Sequence, residues 1–171
     1  MKKIIFLDFD GVLNTEYHQG LLQFQSKQQR DEYGAIFAPG AVKQLKRIVE
    51  DTAAEIVVSS SWKYLGLAKL QELWMKRNLP GRVIDITPAT PDNNKGKEIS
   101  EWLSKYGIHD TRYVIIDDEE VALGSQVPYF IWTNPYEGLT EEQAERAIRI
   151  LSLWDGLILL GISIVLKTTI I

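Results

Sequence analysis

Short apolar runs and amphipathic stretches take turns along the chain. Lys3–Phe9 is a β-rich apolar run closed by Asp10-Gly11, which reads as a buried strand. Residues 14–38 are polar and Gln-rich, and their weak pattern fits a loop or a short helix. Pro39 is placed to open the next helix, where its missing N–H costs little. Val42, Leu45, Ile48 and Val49 share one face of that helix. Glu55–Val58 is a second strand, ending in Ser59-Ser60-Ser61. Tyr64–Arg77 reads as a helix with Leu70, Leu73 and Trp74 at core spacing, stopped by Pro80-Gly81. Val83–Thr87 is a third strand and Pro88–Asn94 a loop.

The clearest helix is Lys95–Tyr106. Ile99, Trp102, Leu103 and Tyr106 fall at i, i+3, i+4 and i+7, a single apolar stripe, and Gly107 ends it. Tyr113–Ile116 is a fourth strand closed by Asp117-Asp118, and Tyr129–Trp132 a fifth. Thr140 opens a helix with a capping-box spacing to Gln143, and Ala144, Ala147, Ile148 and Leu151 form its buried face. Strands alternating with helices predict an α/β fold, a doubly wound, Rossmann-like parallel sheet with helices on both faces. Residues 1–154 make up this unit. Residues 155–171 break the alternation and are expected to be an apolar C-terminal extension packed on the same domain. Their apolar run, Leu157–Leu166, is shorter than the roughly 20 residues a membrane span needs. Near the start, Asp8 interrupts the apolar run too early for a signal-peptide core.

Composition narrows the function classes. The 171 residues include 19 Lys plus Arg against 23 Asp plus Glu, a formal charge of −4, which argues against a broad electrostatic coat on nucleic acid. There is no cysteine, so disulfides, zinc–thiolate sites and cysteine nucleophiles are excluded. That composition fits a cytoplasmic protein. His18 and His109 are the only histidines, so a histidine-rich metal site is excluded as well.

In open α/β sheets ligands bind beyond the carboxyl ends of the strands. Three of the expected strands deliver polar groups there: Asp8 and Asp10 after the first, Ser59-Ser60-Ser61 after the second, Asp117-Asp118 after the fourth. Lys95 starts the helix leading to that fourth strand. Four carboxylates at one edge must share protons or hold a cation. With only oxygen donors to hand, the cation is expected to be hard, and Mg²⁺ suits such a set together with a substrate phosphate. Ser59, which follows the last apolar residue of its strand, leads over Ser60, and Lys95 leads over Lys97. Trp62 and Trp102 read as core, Lys63 as a solvated charge near the site, and Asn14 as a residue that shapes the turn after Asp10.

The same residues carry a family resemblance. Leu7-Asp8-Phe9-Asp10-Gly11-Val12 resembles the first motif of the haloacid dehalogenase (HAD) superfamily, Val57-Val58-Ser59 the second, Lys95 the third and Ile115-Ile116-Asp117-Asp118 the fourth, all in order over about residues 1–120. The stretches 10–14, 59–63, 95–103 and 138–140 are similar to a narrower branch, the HAD-type domain of Swiss army knife RNA repair proteins. The resemblance implies a Mg²⁺-dependent phosphatase working through an aspartyl-phosphate. In it Asp8 is the nucleophile and Asp10 the acid and base. Ser59 and Lys95 hold the phosphoryl group. Asp8, Asp118 and the Asp10 backbone carbonyl hold the metal, which Asp117 helps to orient. The possible insertion sites, residues 14–38 and 88–94, are too short for a large cap domain. An open site admits a phosphorylated nucleotide or an oligonucleotide end, with closure by a second subunit as the alternative. A non-catalytic binding module and phosphotransfer to an acceptor other than water are the competing functions.

Overall fold

A computed structural model of the chain describes residues 1–107 and 111–152. Its centre is a five-stranded sheet in the order β5-β4-β1-β6-β7, formed by β1 (Lys2–Leu7), β4 (Glu55–Val58), β5 (Val83–Ile86), β6 (Thr111–Asp117) and β7 (Phe130–Trp132). Every neighbouring pair is parallel. The strands are continuously apolar because both faces are covered. Ile5, Leu7, Ile56, Val58, Val114 and Ile116 point to one face. There they meet Leu45 and Ile48 of α2 (Pro39–Thr52), Leu70, Leu73 and Trp74 of α3 (Leu67–Lys76), and Ala144, Ala147 and Leu151 of α5 (residues 141–152). Ile4, Phe6, Val57, Tyr113 and Ile115 alternate with them and meet Ile99, Trp102 and Leu103 of α4 (Lys95–Tyr106) on the other face. The doubly wound α/β arrangement is therefore as expected.

The chain runs outward from β1 to β4 and β5, then returns past β1 to β6 and β7. The reversal places a topological switch point between β1 and β6, where ligands of such sheets bind. The loop 88–94 that enters α4 is short, and among the described residues no large cap domain interrupts the sheet. The C-terminal stretch 155–171 lies outside the described residues. Among the described residues no helix is long and apolar enough to cross a membrane.

Two segments differ from expectation. Residues 14–38, read as loop or short helix, form α1 (Glu16–Phe24) and a small antiparallel hairpin, β2 (Arg30–Asp31) with β3 (Gly34–Ala35). Only Leu22 of α1 is buried, so its sequence shows little periodicity. The helix expected over Tyr64–Arg77 is split. A 3₁₀ turn, Ser61–Leu65, closes with Lys63 N–H donating to Ser60 O at 3.0 Å, and α3 begins only after Gly66. Elsewhere the details match. Pro39 opens α2, Gly107 caps α4, and Thr140 and Gln143 exchange capping hydrogen bonds of 2.9 and 3.4 Å.

Candidate active site

Backbone ladders fix the first residue beyond each central strand. Asp8 N–H donates to Ile116 O at 3.0 Å, and Ser59 N–H donates to Leu7 O at 2.9 Å. Asp8 and Ser59 thus stand side by side above β1 and β4, next to Asp117 at the end of β6. The turn after Asp8 winds tightly, with the Phe9 carbonyl accepting from Leu13 and Asn14 N–H at 2.9 and 2.8 Å. Gly11, at φ +69°, is required there twice over. The left-handed backbone favours glycine, and a Cβ would lie 2.3 Å from the Asp118 carboxylate.

Lys95 Nζ ties the acids together. It donates to Asp8 Oδ2 at 2.6 Å and to Asp117 at 2.9 and 3.1 Å. Asp8 Oδ1 accepts from Phe9 N–H at 2.6 Å, and Asp117 Oδ1 from Glu119 N–H at 3.0 Å. Asp8, Asp117 and Asp118 bring one carboxylate oxygen each within 4.8 Å of one another. Burial pushes the Asp117 carboxyl up to about 7, with the Asp8 charge acting the same way and Lys95 opposing. Burial and then Asp8 raise Asp118 as well. Burial alone would lower Lys95, but Asp8 and Asp117 outweigh it and hold the ammonium above its ordinary value. All three groups shift upward, the two carboxyls through burial and the Asp8 charge and the ammonium through its carboxylate partners. The three clustered carboxylates, two of them bound by the Lys95 ammonium, offer hard oxygen donors, a set that fits Mg²⁺.

The Ser59 hydroxyl is buried and has no hydrogen-bond partner among the described residues. The Ser60 hydroxyl is committed to capping Trp62 N–H at 3.3 Å. Lys97, the alternative to Lys95, is exposed and paired with Asp92 at 2.5 Å. Asp10 stands apart from the other acids. Its Oδ1 accepts from Asn14 Nδ2 at 2.6 Å and its Oδ2 from Trp62 Nε1 at 2.9 Å, so its carboxylate is not in the metal-competent group. Residues read as core or turn-shaping are thus hydrogen-bond partners of a candidate site residue.

A groove of about 780 Å³ runs from Ser59 and Lys95 along α4, past Thr87, Pro88, Tyr64 and Tyr106. Tyr64 is exposed on its wall. Lys63, read as a solvated charge, is instead held in this groove. Its Nζ pairs at 2.6 Å with Glu98, which is 1% exposed. Glu98 also accepts from Thr87 Oγ1 at 3.2 Å and Thr90 N–H at 3.4 Å. One buried carboxylate therefore joins the turn after β4, the loop after β5 and the first turn of α4. Sequence spacing gives no sign of a contact between residues 35 apart.

The stretch 138–140 has a structural role: Leu139 N–H donates to Val12 O at 2.9 Å, and Thr133 Oγ1 donates to Gly11 O at 2.9 Å. Both bonds hold the β7–α5 loop against the turn that carries Asp10.

Residues 4–144 match the family model described as the HAD domain in Swiss Army Knife RNA repair proteins. The chain belongs to that family. No curated protein matches it. The HAD assignment agrees with the parallel sheet and with four motif positions gathered at one edge, and it supports a hydrolase or phosphatase role.

Proposed function

We propose that the chain is a Mg²⁺-dependent phosphatase that hydrolyses a terminal phosphomonoester on a nucleotide or nucleic-acid end. The observation that carries this reading is Lys95 Nζ bridging Asp8 and Asp117, with Asp118 within ligand distance. An Asp8 carboxylate oxygen attacks phosphorus while the bond to the ester oxygen breaks. Asp10 gives that oxygen its proton. Asp10 then takes a proton from water, whose oxygen attacks the phosphorus of the aspartyl-phosphate. The bond to Asp8 breaks, the carboxylate is restored and inorganic phosphate leaves. Carboxylate nucleophiles of this kind split one difficult displacement into two easier ones. The Ser59 hydroxyl, left without a partner among the described residues, donates to a phosphoryl oxygen. Lys95 offsets charge that builds on the phosphoryl group, a preorganised electrostatic contribution. Asp8 and Asp118, with Asp117 beside them, would hold Mg²⁺, which would supply further positive charge for binding and orienting the phosphate.

The family description and the groove both favour a nucleic-acid end over a small sugar phosphate. The groove meets the phosphate position, and its aromatic wall suits a nucleobase, since every base offers a π-face. The test is phosphate release from 5′- and 3′-phosphorylated oligonucleotides, nucleotides, sugar phosphates, phosphopeptides and p-nitrophenyl phosphate, with Mg²⁺ and with a chelator. The reading expects Mg²⁺-dependent release, fastest from one of the nucleotide classes. Fastest turnover of a sugar phosphate would overturn the substrate assignment. Release that persists in chelator would overturn the metal.

A further inference from the structure

We propose that Trp62 and Asn14 are positioning residues for the acid–base carboxylate Asp10, and that the small hairpin β2–β3 is the buttress that holds Trp62 in place. The inference rests on the phosphatase reading and adds residues to it.

Both oxygens of Asp10 are held, one by the Asn14 amide at 2.6 Å and one by the Trp62 indole N–H at 2.9 Å. A carboxylate oxygen has two lone pairs, so each keeps one for a leaving-group oxygen or a water. The clamp fixes the side-chain torsions without blocking the chemistry. It also keeps the carboxylate away from Lys95, which binds Asp8 and Asp117 instead. A residue needed only to fill the core would not require an indole N–H aimed at a carboxylate 52 positions away. Trp62 is buried at 7% exposure, so its N–H would be left without a partner if Asp10 turned aside.

The indole is itself held from several sides. Phe9 and Phe37 pack on it with centroids 5.6 Å away in each case. Trp62 N–H is capped by Ser60, one residue beyond the Ser59 phosphate position. On the outer side lies Gly34 of the hairpin, with φ +136°, where a Cβ would fall 2.5 Å from Trp62 Cη2. No other residue lets the hairpin backbone lie so close to the ring. The hairpin is pinned in turn by Arg77, the residue that caps the end of α3, which bonds Asp31 at 2.6 and 2.9 Å and the Gly34 carbonyl at 3.2 Å. The segment after α1 therefore has a definable task. It presses Trp62 onto Asp10.

Leaving-group dependence separates this role from simple packing. An alkoxide such as a nucleoside hydroxyl needs a proton from Asp10 as it departs, whereas nitrophenolate needs little help. Trp62→Phe keeps a ring in the pocket and removes the donor. In single-turnover experiments with Mg²⁺, release of the alcohol from a phosphorylated oligonucleotide should fall about 10- to 100-fold, the scale of a small misplacement. Release of nitrophenolate from p-nitrophenyl phosphate should fall less than about threefold on the same argument. Asn14→Ala and Gly34→Ala should give the same selective pattern. An equal fall on both substrates in these variants would overturn the proposal. Independently of activity, Asp10→Asn should move one tryptophan indole resonance in the ¹H–¹⁵N spectrum of the otherwise unchanged protein. An indole spectrum that does not change would also overturn it. Wild-type protein that hydrolyses neither substrate would remove the phosphatase reading as well. That result is distinct from an active wild type whose variants behave uniformly.

Discussion

Removing the Lys63 ammonium should destabilise the protein far more than loss of a surface lysine. The Glu98 carboxylate is 1% exposed, and Lys63 is its only cationic partner in the described ion pairs, at 2.6 Å. After Lys63→Met it keeps one hydroxyl at 3.2 Å and one N–H at a long 3.4 Å. Breaking a buried pair by removing one partner costs about 3–5 kcal/mol. The Lys63 side chain retains 22% exposure, so water reaches the cut end and screens the loss to just below that range, about 2–3 kcal/mol. At roughly 2–4 °C per kcal/mol for a domain of this size, the melting temperature should drop by about 5–10 °C. Glu98→Gln should also destabilise, but the double variant should be more stable than the sum of the two losses by about 1–2 kcal/mol, because a neutral amide needs no cation. The assay is thermal unfolding of the four proteins by circular dichroism at fixed pH. A Lys63→Met protein that melts within 1–2 °C of wild type, about the 0–1 kcal/mol value of an exposed pair, would refute the reasoning.

Two further outcomes follow from single contacts. Gly11→Ala would put a Cβ 2.3 Å from the Asp118 carboxylate at a left-handed φ of +69°, so Asp118 must move. The Mg²⁺ concentration for half-maximal activity should rise at least about tenfold, as for other disturbances of a ligand's support, and an unchanged metal response would contradict the site geometry. Asp31, hydrogen-bonded to Arg77, has its carboxyl held below the ordinary range. A depressed folded-state value contributes stability that is present above the unfolded carboxyl pKa, about 4, and is lost as pH falls through the lower folded value. The melting gap between wild type and Asp31→Asn should therefore be full near neutral pH and close at acid pH. A gap that is constant down to acid pH would show that the Arg77 pair is not its source.

What the sequence made legible were features whose signal is local. The continuous apolar runs around Ile4–Leu7 and Val114–Ile116 mark strands covered on both faces, and the stripe Ile99, Trp102, Leu103 marks α4. The residues that end those elements, Asp8, Ser59 and Asp117, were readable because the ladder leaves the next position at the sheet edge. The choice between Ser59 and Ser60 was not, because it depends on which hydroxyl the 3₁₀ turn uses as a cap. The hairpin at 30–35 has strands of two residues, too short for any periodicity. The tasks of Trp62, Asn14 and Glu98 stayed hidden for another reason. A tryptophan in the core and a tryptophan aimed at a carboxylate have the same local sequence, and only the packing of the hairpin against α3 separates them. Lys63 was misread because its partner arrives from a helix that begins 32 residues later.

The central claim is that phosphorus passes through Asp8. The most direct test mixes the protein with Mg²⁺ and a phosphorylated oligonucleotide or p-nitrophenyl phosphate, quenches in acid and reduces with borohydride. Reduction converts an aspartyl-phosphate into homoserine, which peptide sequencing by mass spectrometry assigns to a position. The account predicts homoserine at position 8, dependent on substrate and absent from Asp8→Asn. Homoserine at position 10 or 117 would contradict it, as would full turnover by Asp8→Asn.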